Sequence, residues 1–96
     1  MRNDTLSIAT MDGLDLEADL ALPDEIRGAV VLCHPHPQYG GDRFNTVVEA
    51  LFRALPSAGF AALRFDFRGV NNSEGRHGGG VDERMDALAA LEAATA

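Results

Sequence analysis

Between residues 5 and 22 apolar and polar side chains alternate in two runs, TLSIAT and LDLEADLAL, separated by Met11-Asp12-Gly13. A period of two marks a half-buried strand, and Asp-Gly between two such runs is a hairpin signal. The pattern predicts an antiparallel hairpin over 5–22 joined at Asp12–Gly13. Leu6 and Ile8 share one face, and Leu14, Leu16, Ala18 and Leu20 share another. After Pro23-Asp24-Glu25, residues 28–33 read GAVVLC, apolar without alternation. A strand covered on both faces of a parallel sheet has this composition.

Phe44, Val47, Val48, Leu51, Phe52 and Leu55 recur at i, i+3, i+4, i+7, i+8 and i+11. That spacing predicts an amphipathic helix over 43–55, capped by Asp42 or Asn45 and stopped at Pro56. Past Gly59, residues 60–67 (FAALRFDF) form a further apolar strand. Strand, helix, strand is a βαβ unit, whose strands lie parallel with a right-handed crossover. A loop rich in Gly and Asn (RGVNNSEGRHGGG) leads to a last helix over 82–95 with Met85, Leu88 and Leu91 as its apolar positions. A parallel sheet needs cover on both faces and both edges, so these elements read as one single partial domain over 1–96, the first half of a larger α/β domain.

The chain has 96 residues, room for one small domain, and its 46% hydrophobic content makes disorder a poor description. Net charge is −7 and all eight basic residues are arginines, so no basic footprint for nucleic acid or an anionic membrane is present. Cys33 is the single cysteine and cannot form an intramolecular disulfide. No apolar run approaches the roughly 18 residues that span a bilayer. A soluble cytoplasmic protein is the expectation.

The chemistry-bearing stretch is LCHPHPQYGG, residues 32–41. His34 and His36, two apart at a strand end, could begin a metal site for a metal-dependent hydrolase. Such a site needs three or four ligands, however, and Pro37-Gln38-Tyr39 follows where another ligand would help. Alternatively the main chain of this loop binds an oxyanion. Pro35 and Pro37 have no N–H, which leaves His36 as the first donor, then Gln38 and Tyr39, with Gly40 and Gly41 permitting close approach. As a third reading, the loop is a stiff turn holding a hydrogen-bonded, structural His34.

The serines are Ser7, Ser57 and Ser73, and none lies in the Gly-x-Ser-x-Gly turn of an acyl-transfer nucleophile. Ser73 reads as a turn serine. Cys33 and His34 point to opposite faces of a strand and cannot act together, so Cys33 reads as a small buried hydrophobe. His77, among glycines, reads as an exposed loop residue. Asp66 lies between Arg64 and Arg68 and reads as an ion pair that fixes its loop.

Taken together, HPHPQYGG after a buried strand and Arg64-Phe65-Asp66-Phe67-Arg68-Gly69-Val70-Asn71-Asn72-Ser73-Glu74-Gly75 resemble the N-terminal part of the α/β-hydrolases. The nearest subfamily carries HPHP-x-x-GG followed by R-x-x-FRG-x-x-x-S-x-G. The resemblance spans about residues 5–95 and implies an incomplete α/β-hydrolase fold: an antiparallel hairpin, a βαβ parallel sheet, then a helix. It implies a serine hydrolase of ester or related acyl bonds, without cofactor or metal, acting on a small-molecule substrate. His34, Gln38, Tyr39, Gly40 and Gly41 would form the oxyanion loop with His36 N–H as donor, supported by Asp66, Arg68, Gly69 and Ser73. Asn71 and Asn72 stand where relatives often carry Gly-Arg or Gly-Ala, and Asn tolerates positive φ.

In that family the nucleophile, acid and histidine come later in the chain than the helix placed at 82–95. His34, His36 and His77 therefore cannot be the triad histidine, and the chain alone is expected to be inactive. Besides the hydrolase half, two readings stand: the metal-dependent hydrolase at His34 and His36, and a non-catalytic α/β module. An open sheet edge implies self-association or completion by a second chain.

Overall fold

The computed structural model describes residues 2–34 and 41–95. Its elements are β1 (Arg2–Ala9), β2 (Asp15–Leu22), β3 (Gly28–Leu32), α1 (Thr46–Ala54), β4 (Phe60–Phe65) and α2 (Glu83–Thr95), with a 3₁₀ turn at Leu55–Ala58. The strands form one mixed sheet in the order β1-β2-β4-β3. β2 pairs antiparallel with β1 and β4, whereas β3 runs parallel to β4, Gly28 opposite Phe60 and Leu32 opposite Arg64. The βαβ reading is therefore correct.

The hairpin begins at Arg2, earlier than expected, and turns through a longer loop than Asp12–Gly13. Its last pair is Ala9 with Asp15, and Thr10 closes the loop by donating from N–H to Leu14 O at 2.9 Å and accepting Gly13 N–H at 3.1 Å. Gly13 supplies the positive φ (87°). Leu6 faces Ala18 and Ile8 faces Leu16, so the hairpin leucines belong to one apolar face instead of two.

That face forms one half of the core: Ile8, Leu16, Ala18, Leu63 and Phe65 pack under Ala90, Ala93 and Ala94 of α2. On the other side of the sheet Ala21, Leu32 and Ala62 pack under Val48 and Phe52 of α1. Alternation along β4, Ala62 to one side and Leu63 to the other, divides the two halves. Fully burying a side chain such as Phe65 contributes about 1.5–3 kcal/mol.

The helices depart from their expected limits for local reasons. The Asn45 side chain accepts N–H from Val47 (3.0 Å) and Val48 (3.3 Å), so α1 starts at Thr46, three residues later than expected. Asp42 instead shapes the preceding turn by accepting Phe44 N–H at 2.8 Å. Pro56 does not stop the helical path; it sits in the first turn of the 3₁₀ segment, which ends at left-handed Gly59 (φ 91°). Only Val48 and Phe52 of α1 are buried, while Phe44, Val47 and Leu51 are exposed.

α2 departs further. Leu88 and Leu91 are exposed, Met85 is half-buried, and the inward positions are Glu83, Asp86, Ala89 and Ala90. Alanines let the helix approach Leu63 and Phe65 closely, and Asp86 turns inward to meet an arginine. β3 and β4 end at Leu32 and Phe65, short of Cys33 and Phe67; Asp66 N–H still donates to Glu17 O at 3.0 Å, and the Phe67 N–H beyond it goes to a side chain. Among the described residues no helix is long and apolar enough to cross a membrane.

Candidate functional site

His34 follows β3 and is buried. Its Nε2 accepts the main-chain N–H of Phe67 at 3.0 Å, and its ring meets the Phe67 ring edge-on, centroids 4.9 Å apart at 81°. The donor that would extend β4 is thereby spent on an imidazole. An accepting Nε2 places the proton of the neutral ring on Nδ1. It also takes the lone pair that a metal would need. Among the described residues no group of three His, Cys, Asp or Glu is placed to hold a metal ion.

His36, Gln38, Tyr39 and Gly40 lie outside the described residues; Gly41 lies inside them and is buried. Immediately beyond, Arg43 anchors the chain. Its N–H donates to Asp66 Oδ1 at 2.7 Å, and its guanidinium binds Asp66 Oδ2, Glu17 Oε1 and, at 3.0 Å, Asp19 Oδ2. Burial opposes the charge on Arg43, but Asp19, Glu17 and Asp66 outweigh it and hold its pKa above the ordinary value. Residues 35–40 are therefore flanked by two anchors, His34 to Phe67 and Arg43 to Asp66, on adjacent residues past the end of β4.

Asp66 does form the ion pair expected of it, and its partner is Arg43; the flanking arginines are engaged elsewhere, Arg64 with Asp19 (2.8 Å) and Glu49, and Arg68 with Asp86. Fully buried, Asp66 also accepts Asn71 Nδ2 at 3.1 Å. Arg64 further lies over the Phe52 and Phe44 rings, 4.2 and 5.0 Å from their centroids. At Asp19 burial raises the pKa, but hydrogen bonds from Thr5, Arg43 and Arg64 prevail and keep it below the usual carboxylate value.

The loop after β4 is built as a brace. Ser73 Oγ donates to Asp66 O at 2.7 Å and accepts Glu17 N–H at 3.0 Å, which occupies the buried hydroxyl. Gly69 has φ 79°, and a Cβ there would lie 3.0 Å from His77 N. Asn71 is the one non-glycine residue at positive φ (47°) among those described, as its place in the motif implied. Arg68 donates from N–H and guanidinium to Asp86 at 2.7–3.0 Å and reaches Asp12 at 2.8 Å. These bonds, Asp86 first, push the Arg68 pKa further up.

Two peripheral residues complete the inventory. Cys33 is exposed rather than buried, because it lies past the last residue of an edge strand, although the atoms behind it still desolvate the thiol and push its pKa up. His77 is exposed, as expected, and its Nδ1 lies 3.0 Å from Glu83 Oε2. Sequence reasoning missed Arg43, Glu17, Asp19, Asp12 and Asp86. The available signal was weak: Glu17 and Asp19 occupy alternate polar positions of a strand, normally the solvent side.

No protein-family model matches the chain. The chain is 47% identical over 64 residues to uncharacterized protein RP471 of Rickettsia prowazekii (strain Madrid E), a match covering 67% of this chain and 26% of that protein. It is similar to the solved structure of an alpha-beta serine hydrolase homologue from Coxiella burnetii, at TM-score 0.82 and 38% identity over 96% of this chain and 45% of that one. It is also similar to XC6422 from Xanthomonas campestris, a member of the α/β serine hydrolases without lid, at TM-score 0.85 and 30% identity over 96% of this chain and 44% of that one. The mixed sheet with flanking helices is thus an α/β-hydrolase-like topology, and the chain spans less than half of each solved relative.

Proposed function

We propose that this chain is the oxyanion-loop half of a serine hydrolase that cleaves an ester or related acyl bond in a small-molecule substrate. The observation that carries the reading is the pair of anchors around residues 35–40, His34 Nε2 to Phe67 N–H and Arg43 N–H to Asp66. Both tie the flanks of HPHPQYGG to the end of the strand parallel to β3, where such folds gather their chemistry.

In this reading the His36 main-chain N–H donates to the carbonyl oxygen as it gains negative charge, and Gln38 and Tyr39 are the next donors along the chain. Preorganised donors aimed at a developing oxyanion account for about 10²–10³ in kcat each. The serine that adds to the carbonyl carbon, its base and the acid come from further polypeptide, in the same chain or a second one, in a cytoplasmic setting. The 96 residues hold no Gly-x-Ser-x-Gly. Ser73, whose hydroxyl already braces Glu17 and Asp66, takes no part in the chemistry.

The test compares the 96-residue chain with the complete translated reading frame and any subunit that co-purifies with it. Each is given a fluorophosphonate probe and p-nitrophenyl esters. The isolated chain is expected to stay unlabelled and inactive. The larger species should be labelled on a serine outside residues 1–96 and lose at least tenfold in kcat on His36→Pro, which removes the donor. Absence of labelling in both, or hydrolysis abolished by a chelator, refutes the proposal.

A further inference from the structure

Glu17 of β2 binds the segments around the site through four separate groups. Its main-chain N–H donates to Ser73 Oγ at 3.0 Å, and its main-chain carbonyl accepts Asp66 N–H at 3.0 Å. Ala18 opposite Phe65 is the last pair of the β2–β4 ladder, so both bonds lie past its end. The carboxylate divides between two partners: Oε1 accepts the Arg43 guanidinium, and Oε2 accepts Asn72 Nδ2 at 3.1 Å. One strand residue thus meets the end of β4, the loop after it and the segment that precedes α1.

The side chain is not needed to neutralise its partner. Arg43 also binds Asp19 and Asp66, and its N–H holds Asp66 Oδ1. The Glu17 side chain is 27% exposed, against 0% for Asp66, so its removal leaves no buried charge unpaired. What it adds is a second link between Arg43 and the loop after β4. Asp66 joins Arg43 to Asn71, and Glu17 joins it to Asn72. One such link leaves a hinge; two, on adjacent asparagines, lock it.

We infer that Glu17 is a positioning residue of the hydrolase site. Through Arg43 and Asn72 it sets the spacing between the segment before α1, which flanks residues 35–40, and the loop after β4. The inference rests on the hydrolase reading and adds to it a residue of β2 that touches no reacting atom. A misplacement of about 1 Å costs up to about 10²-fold in rate. An oxyanion donor acts on the transition state, so the loss falls on kcat and not on KM.

The test is made on the complete translated reading frame, with any subunit that co-purifies, by p-nitrophenyl ester kinetics and amide hydrogen exchange. Glu17→Ala should lower kcat at least about tenfold with KM within about threefold. It should also quicken exchange on both sides of the link, at the Arg43 and Ser73 amides. Glu17→Gln should recover most of the rate, its carbonyl accepting Arg43 and its amide donating to a reversed Asn72 amide. Ile8→Ala, in the core on the other face of the hairpin, should lose more thermal stability yet keep kcat within about twofold. An inactive wild type refutes the hydrolase reading. An active wild type with Glu17→Ala equally active, exchange quickened on one side only, or Glu17→Gln no better than Glu17→Ala overturns this inference alone. If Glu17→Ala does not fold, Asn72→Ala cuts the same link at its exposed end, with the same expectations and the same refutations.

Discussion

Arg43 holds Asp66 twice, its main-chain N–H donating to one carboxylate oxygen at 2.7 Å and its guanidinium to the other. One residue thereby fixes both the path of the chain before α1 and the end of β4. The grip is buried on both sides, with Asp66 at 0% exposure and Arg43 at 5%. Asp66→Ala removes both acceptors and leaves Arg43 to Glu17 and Asp19. Breaking a buried pair from one side costs about 3–5 kcal/mol. A matching fall in the free energy of urea unfolding, at fixed protein concentration, is expected. Asp66→Asn keeps an acceptor for the N–H and should cost less.

His34 carries a separate load. Replacing it with Phe keeps a ring against Phe67 but leaves the Phe67 N–H without its acceptor. An unsatisfied buried donor costs about 1–3 kcal/mol. The expected signature is local: faster hydrogen exchange at the Phe67 amide, with the β2–β4 ladder less affected. Unchanged exchange at Phe67 would show that the 3.0 Å bond contributes nothing.

Acid should loosen the fold in a defined window. The Asp12 carboxylate is lowered from 3.8 to about 2 by its hydrogen bonds from Arg68 and then Thr10. A folded value below the unfolded one means that the contribution is complete above the unfolded pKa and is lost as pH falls through the folded one. Stability should therefore decline between about pH 4 and pH 2. Asp19, Glu49 and Glu83 are lowered too and add in the same direction; at Glu49 the cause is hydrogen bonding to Arg53 and then Arg64. Urea midpoints taken from pH 6 downward should fall with a slope that Asp12→Asn reduces.

The brace after β4 holds Gly69 and Asn71 in left-handed backbone. Gly69→Ala forces a Cβ to within 3.0 Å of His77 N at φ 79°. Asn71→Val places a branched residue at φ 47° and removes the bond to Asp66. Each should destabilise by at least about 1–2 kcal/mol, the cost of a left-handed L-residue. Asn71→Gly should lose only its side-chain bond. Thermal melts of the four proteins, wild type included, check the order.

Much of the fold was legible in local pattern. The parallel pairing of β3 and β4 followed from an apolar strand, an amphipathic helix and a second apolar strand; Asn45 was one of the two cap candidates, with Asp42, and Asn71 stood with Asn72 where the resemblance places a glycine. Less of the site was. Arg64 and Arg68 flank Asp66 in sequence, yet Asp66 pairs with Arg43, 23 positions away, and Arg68 with Asp86, 18 positions away. Nothing in a linear pattern distinguishes a carboxylate that will be paired inside from one that will be solvated.

α2 shows where the division falls. Its residue types make it a helix, but its leucines suggested an inward face that the protein does not use. The face was chosen by Arg68, which draws Asp86 inward, and by the room beside Leu63 and Phe65, which fits Ala90. Period, turn chemistry and caps act within a few residues and were readable from the order of amino acids. Partners among buried charges, the orientation of a helix with little amphipathic bias, and the exposure of Cys33 depend on distances between residues far apart in the chain. Only packing sets those distances, because burial rewards the arrangement that satisfies every charged group at once.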